Sequence, residues 1–342
     1  MLVKKLNKLK RVSVLNAILM SSSRQAQIFS RKTGNYYFAI IISIVFYACS
    51  SGPNEPTDTP TSGDVNIVVD ESFQQLFDTE IYTFQALYKN AIVHAKYLPE
   101  NEAIQRLIND SCKVAVMCRD LTSNERKRFE QANIFPISTK IAEDAIAFVV
   151  NKENPDTTMT VVKMKSILLG KDSIWNWAQE RNSPVGQRKI NIVFDNNGSA
   201  NASYIKDTLL HGNPFSRNSF AVKSNPEVID YVSKNKNAIG VLSVNWISDS
   251  DDTLTVNFLK KINVIALAKD STSKAVKPYQ AYIKTKEYPF TRGVYMINRQ
   301  TRAGLGMGFV SFVAGEKGQI MILKAGLIPA ISPVRLIEIN TK

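Results

Sequence analysis

Residues 189–210 read Lys-Ile-Asn-Ile-Val-Phe (189–194), Asp-Asn-Asn-Gly-Ser-Ala-Asn (195–201) and Ala-Ser-Tyr-Ile-Lys-Asp-Thr-Leu-Leu (202–210). The first segment is a short apolar run of strand composition. The last has helical composition, and small and amide residues fill the turn between them. A strand that passes directly into a helix is the repeating unit of an α/β sheet. Such a turn also leaves backbone N–H groups unpaired at the helix start, with the positive end of the helix dipole behind them. Two readings follow. Ser199 or Asn197 is an ordinary N-cap worth about 1 kcal/mol, or the loop Asp195–Asn201 holds a small oxyanion without metal or cofactor.

The alternation extends in both directions. Val65–Val69, Ile92–Leu98 and Lys113–Met117 have strand character, with helices expected over Ser72–Lys89, Glu100–Ile108 and Ser123–Gln131. A long extended stretch, Ile134–Val150, follows. Beyond it the pattern predicts helices at Val162–Leu169 and Asp172–Gln179, a strand at Phe220–Val222, a helix at Pro226–Lys234 and a strand at Ala238–Val244. Val256–Lys269 and Tyr288–Arg299 read as extended, Ala303–Val313 and Glu316–Ala325 as helices, and Val334–Ile339 as a last strand. Regular βα alternation predicts an open, largely parallel α/β sheet arranged in two lobes. The chain is expected to enter the second lobe near Val150 and return through Val256–Lys269. Residues 64–150 with 257–342 would then form lobe one and 151–256 lobe two. Two crossings make a hinge, and the strand carboxyl ends face a central cleft.

The net charge of +13 on 342 residues is concentrated at the start. Lys4, Lys5, Lys8, Lys10, Arg11, Arg24, Arg31 and Lys32 fall within residues 1–48, which hold no acid. Of 43 basic residues these eight leave 35 against 30 acidic ones, so no basic face for nucleic acid is implied. Arg31-Lys32 precede an uncharged, mostly apolar run, Tyr36–Ala48, followed at once by Cys49. That run spans roughly 20 Å as a helix, short of the ~30 Å hydrocarbon core, which makes residues 1–48 a signal-type leader. Ala48-Cys49 resembles the lipobox of bacterial lipoproteins, in which Cys49 becomes the diacylated N-terminus; the alternative is an uncleaved signal anchor. Residues 49–63, rich in Pro, Ser, Thr and Gly, read as a flexible tether behind the anchor.

Cys112 and Cys118 flank a strand and stand too far apart for a disulfide, so both are expected as buried free thiols. Two histidines, His94 and His211, give no metal-ligand spacing. Trp175 and Trp177, Met307, Phe309 and Phe312 read as packing residues, His94 as structural, and Arg292 as a pin for a returning strand. No nucleophile–base set, phosphate-binding P-loop or carboxylate pair points to an enzyme, and no cofactor is implied.

Four stretches in this order resemble the phosphate-type solute-binding proteins of ABC transporters, in a divergent lipoprotein branch, over about Asp64 to Ile339. They are Val69-Asp70-Glu71-Ser72-Phe73, Asn197-Gly198-Ser199-Ala200-Asn201, Asn237-Ala238-Ile239-Gly240-Val241 and Tyr288-Pro289-Phe290-Thr291-Arg292-Gly293-Val294-Tyr295. The resemblance implies a two-lobed periplasmic binding protein-like fold of type II that closes over an anion. It places the Ser72 hydroxyl and the Phe73 N–H on one side, and the Ser199 hydroxyl with the Ala200 and Asn201 N–H groups on the other.

Two departures stand out. The family's acceptor Asp on lobe one falls near Cys118, and its Arg on lobe two falls on Asp195. The expectation is that these charges have exchanged sides, with Arg119 as the cationic clamp and Asp195 as acceptor for a protonated oxyanion. Glu100 and Glu102 stand where the family has small residues and would repel an anion unless turned away. The implied protein is a monomeric, lipid-anchored envelope component facing the periplasm. It would capture a small oxyanion, phosphate foremost, for an ABC permease. The alternative is an envelope interaction or sensor protein that keeps the fold without the anion.

Overall fold

A computed structural model of the chain describes residues 58–175, 189–248, 253–300 and 302–331. The leader, Cys49, Trp177 and the expected strand at Val334–Ile339 lie outside the described residues. The first part runs β1 (Gly63–Asp70), α1 (Gln74–Leu87), β2 (Ala91–Leu98), α2 (Glu100–Ile108), β3 (Val114–Met117), α3 (Ser123–Gln131) and the 15-residue β4 (Ile137–Asn151). A single turn of 3₁₀ helix, Glu71–Phe73, joins β1 to α1. Next come β5 (Thr158–Thr160), α4 (Val161–Leu168), β6 (Asn191–Phe194), α5 (Ala200–Thr208), β7 (Ser219–Ala221), α6 (Asn225–Lys234) and β8 (Ala238–Ser243). The last part holds α7 (Thr253–Lys261), β9 (Ile262–Val264), β10 (Ala266–Ala268), α8 (Gln280–Lys284), β11 (Thr291–Asn298), α9 (Leu305–Ala314), α10 (Glu316–Lys324) and β12 (Ile328–Pro329).

Local chemistry sets several of these boundaries. Thr122 and Glu125 form a reciprocal capping box at α3, Ser224 caps α6 with Pro226 in its first turn, and Ser199 caps α5. In β1, Val65, Ile67 and Val69 face one apolar cluster and Val68 the other. A strand buried on both faces reads as an apolar run, which is how parallel sheets covered by helices look in sequence.

The strands follow the order β2-β1-β3-β11-β4-β8-β6-β7, with β9 and β12 also on β4. β1, β2 and β3 are mutually parallel, as are β6, β7 and β8. β4 is the spine of both lobes. Its first part, Ile137–Ala145, pairs antiparallel with β11, and its last part, Ile146–Val150, pairs antiparallel with β8. Burial of every residue from 144 to 151 follows from that shared position. The fold is α/β and two-lobed, with β4 crossing from one lobe to the other.

Three stretches differ from the expectations. Val256–Lys269 is not one extended run: α7 occupies Thr253–Lys261, and β9 and β10 pair with the end of β4 and with β5. Those pairings place residues 262–268 beside the end of β4 and β5, and at α8 the chain already meets the last part of the fold, where Gln280 Nε2 donates to the Leu323 and Leu327 carbonyls at 2.7 and 2.8 Å. Asp172–Trp175 is not helical, although Trp175 is buried and its indole N–H donates to the Asn237 carbonyl at 3.0 Å. Finally, the end of the expected tether is part of the fold. Asp58 Oδ1 accepts the Leu305 N–H at 2.7 Å at the start of α9, and Pro60 comes so near Gly308 that no Cβ fits there. Cys112 and Cys118 are buried and free. Among the described residues no helix is long and apolar enough to cross a membrane.

Candidate functional site

The loops that follow β1, β3, β6 and β8 all leave the carboxyl ends of parallel strands, where α/β sheets place ligands. Hydrogen bonds show that they meet. Asn245 Nδ2 and Trp246 Nε1, just past β8, donate to the Ser72 carbonyl at 2.9 and 2.8 Å. Asn196 Nδ2, past β6, donates to Glu71 Oε1. A Cβ on Gly198 would stand 2.8 Å from Asn101 Oδ1 and 2.9 Å from Pro99 Cβ, so glycine lets the second-lobe turn press against the start of α2.

The site is built around three buried acids and one buried cation. Asp195 accepts Asn201 Nδ2 at 3.1 Å and Asn225 Nδ2 at 3.3 Å through Oδ2. Arg292, on β11, donates to Asp144 Oδ2 from Nε at 2.9 Å, and its Nη2 lies 2.8 Å from the same oxygen as an ion pair. Its Nη2 also reaches Asn201 Oδ1 at 2.7 Å, and its guanidinium lies 6.0 Å over the Tyr204 ring. Asn201 therefore links the second-lobe acid to the first-lobe cation. Asp144 is further held by the Ser243 hydroxyl at 2.7 Å. Asp70 is buried and accepts the Ser72 N–H at 2.9 Å.

Among the described residues four buried polar atoms here have no hydrogen-bond partner: Ser72 Oγ, Asp195 Oδ1, Asn225 Oδ1 and Arg292 Nη1. Leaving such groups unpaired costs about 1–3 kcal/mol each, more for charged ones, so a cluster of them favours a bound polar ligand or ordered water here. Both donors and acceptors are represented. Burial raises the Asp70 carboxyl to about 7, with Arg292 and the nearby Ser72 hydroxyl opposing and Glu100 and Asp195 reinforcing the rise. Burial also raises Glu71 to about 7, helped by Asp195 and Asp70. Asp195 is raised by the same desolvation, against the pull of Ser199, Arg292 and Asn225.

The expected residues divide between those at this cluster and those beside it. Ser72, Phe73, Asp195, Ser199, Ala200 and Asn201 are all buried at the convergence of the loops. The Ser199 hydroxyl and the Asn201 N–H are engaged with each other: Ser199 Oγ accepts Asn201 N at 3.1 Å and Ala202 N at 3.2 Å. Asn201 contributes its side-chain amide instead. Asn197 is exposed, and the Gly198 N–H donates to Asn196 Oδ1 at 2.7 Å within the turn.

Arg119 is held by carboxylates near it. Its guanidinium is forked onto Glu125 at 2.8 and 3.0 Å, and its Nε pairs with Glu100 Oε1 at 2.8 Å. Arg292, expected from the sequence as a pin for a returning strand, is also the buried cation beside Asn201 and Asp195. The signal was the Arg in the Tyr-Pro-Phe-Thr-Arg stretch. Its partner Asp144, inside an apolar strand, gave no sign from sequence because the pairing joins residues 148 positions apart. Glu100 is turned away from an anion by its own bonds, since Oε2 accepts the Cys118 N–H at 2.9 Å. Glu102 pairs with Arg106 at 2.8 Å.

Asp70, Glu100 and Cys118 bring one potential metal-ligand atom each within 4.8 Å of one another. Both Glu100 oxygens and one Asp70 oxygen already accept hydrogen bonds. Burial holds the Cys118 thiol well above its ordinary value, and Arg292 lies close by. A protonated thiol beside a guanidinium is a poor cation ligand.

A family model for the PBP superfamily domain matches residues 54–317, and the chain belongs to that superfamily. Among curated proteins it is 24% identical over 294 residues to the phosphate-binding protein PstS of Borreliella burgdorferi, covering 83% of this chain and 94% of that one. It is also 24% identical over 239 residues to PstS of Staphylococcus aureus, covering 68% of each. Among solved structures, one described as a phosphate ABC transporter substrate-binding protein with bound phosphate, from Clostridium perfringens, superposes with a TM-score of 0.64 at 21% identity. That match covers 79% of this chain and all of the other. An ABC-type phosphate transport receptor from Vibrio cholerae gives 0.58 at 20% identity over 78% of this chain and all of the other. These structural likenesses show a common fold.

Proposed function

We propose that this protein is a solute-binding protein that closes its two lobes over a small oxyanion, phosphate foremost, and hands it to an ABC permease. The observation that carries the reading is the cluster of buried, unpartnered polar atoms contributed by both lobes: Ser72 Oγ and Arg292 Nη1 on one side, Asp195 Oδ1 on the other. A tetrahedral anion bearing at least one hydroxyl satisfies donors and acceptors together, because its oxygens accept and its hydroxyl donates. The start of α5 adds the favourable end of a helix dipole. Similarity to PstS proteins supports the same ligand.

Closure and binding are one equilibrium. The ligand contributes contacts to both lobes, so its affinity is the free energy by which it favours the closed state. Cys49 would anchor the chain to a bacterial envelope membrane, with the folded part acting as a monomer beyond it. Calorimetric titration with phosphate, sulfate and molybdate tests the proposal. Saturable phosphate heat is expected. Silence with all three anions would instead favour an envelope interaction or sensor protein that keeps the fold alone.

A further inference from the structure

We propose that a groove at the junction of the two lobes, which shares no lining residue with the anion cluster, is a second binding site. It would take a small amphipathic carboxylate, an aromatic or branched apolar body bearing one negative charge.

The groove encloses about 590 Å³. Small-molecule sites fall between about 300 and 1,000 Å³, favour domain junctions, and combine apolar walls with a few placed polar groups. One wall comes from α7 and β9 through Leu259, Ile262 and Val264, with Lys152 just past β4. β9 pairs with the end of β4, the part that also carries β8, so this wall belongs to the second-lobe sheet. The facing wall is Lys277, Pro278 and Tyr279. Gln280 fixes it to the first lobe through its bonds to the Leu323 and Leu327 carbonyls around the end of α10. Buried Val244 and Ile247 complete the lining. The backbones approach closely here, since a Cβ on Gly326 would stand 2.1 Å from Ser248 Cβ.

The lining selects the ligand. Apolar walls give a bare inorganic oxyanion no replacement for its water, whereas the cluster at Ser72 and Arg292 does. Two lysines and no acid line the groove, and neither lysine joins an ion pair among the described residues. A neutral apolar guest would leave both ammonium groups without a counter-charge. An amphipathic carboxylate answers both demands. Its body packs on Leu259, Ile262 and Ile247 while its charge stays at the lysine rim, and Tyr279, 60% exposed, offers a ring face to a flat body.

Groove and cluster share one element, the short turn Val244–Trp246. Val244 lines the groove, while Asn245 and Trp246 donate to the Ser72 carbonyl. A guest touching both walls favours this arrangement of the lobes, so it should strengthen phosphate binding, and phosphate should strengthen its own. That coupling, unlike the site, rests on the oxyanion reading.

The experiment is fluorescence titration of the full chain with naphthoate and with its neutral alcohol, followed by phosphate calorimetry with and without saturating naphthoate. Saturable naphthoate binding is expected, with the alcohol about tenfold weaker. Lys152→Glu and Lys277→Glu should each weaken naphthoate about fivefold, and Tyr279→Ala by a similar factor, with melting temperatures unchanged. Naphthoate should tighten phosphate binding about fivefold or more. No saturable naphthoate binding, equal binding of the alcohol, or binding indifferent to all three substitutions overturns the site. A filled groove with unchanged phosphate affinity overturns the coupling. A protein that binds naphthoate as described but never phosphate overturns the oxyanion reading and leaves the groove standing.

Discussion

Replacing Arg292 with Met separates what this residue does for the fold from what it does for the ligand. The Arg292 and Asp144 side chains are 2% and 0% exposed. Removing the guanidinium leaves a buried carboxylate uncompensated, a loss of about 3–5 kcal/mol for pairs of this kind. At about 2–4 °C per kcal/mol for a domain of this size, the melting temperature should fall by roughly 6–20 °C. The double variant Arg292→Met with Asp144→Asn removes the stranded charge and should recover most of that loss. It should not recover the ligand. One charge-assisted hydrogen bond contributes about 1.5–3 kcal/mol, so phosphate affinity should stay down by about 10- to 150-fold. Calorimetric melting and phosphate titration of the wild type and both variants read the two effects separately. A single variant that melts like the wild type, or a double variant with wild-type affinity, would refute the reasoning.

Other residues give independent tests. Glu80 is buried with both oxygens unpartnered among the described residues, and burial raises it to about 8. A carboxyl raised in the folded state binds its proton more tightly there than when unfolded, so its contribution to stability falls as pH rises from about 4.5 to about 8. Glu80→Gln should therefore stabilise the protein more at pH 8 than at pH 5 in denaturant titrations. An equal effect at both would show that Glu80 is ionised in the fold. Gly198→Val should weaken phosphate binding with little change in melting temperature, because the added atoms meet Pro99 and Asn101 only when the lobes are together. Overpacking of about 1–3 kcal/mol corresponds to roughly 5- to 150-fold in affinity. Cys49→Ser should abolish labelling by radioactive fatty acid and move the protein from the membrane to the soluble fraction of cells, and retained labelling would place the lipid elsewhere.

The architecture was legible because each lobe repeats one local pattern, an apolar run closed by a turn and a capped helix. Ser199 and Pro226 mark two helix starts by chemistry that acts within three residues. The path of the chain between Val256 and Val294 was less legible. Thr253–Lys261 carries enough apolar residues for either period, and its helical choice is made by packing against β9 and α6. At the site, Ser72, Asp195 and Asn201 stand in recognisable loops, and the structure brings those loops together. The turn of the Asn201 amide to Arg292 and Asp195 was not legible, because only the meeting of two lobes creates that bridge. Arg119 is taken up locally instead. Its partner Glu125 is six residues away in a capping box, close enough to claim the guanidinium before any ligand could.

The most direct test is a crystal structure of the protein grown in saturating phosphate. The account predicts one tetrahedral anion buried between the lobes, within hydrogen-bonding distance of Ser72 Oγ, Arg292 Nη1 and Asp195 Oδ1. Phosphate bound elsewhere, or those three atoms paired with protein groups while phosphate is present, would contradict it.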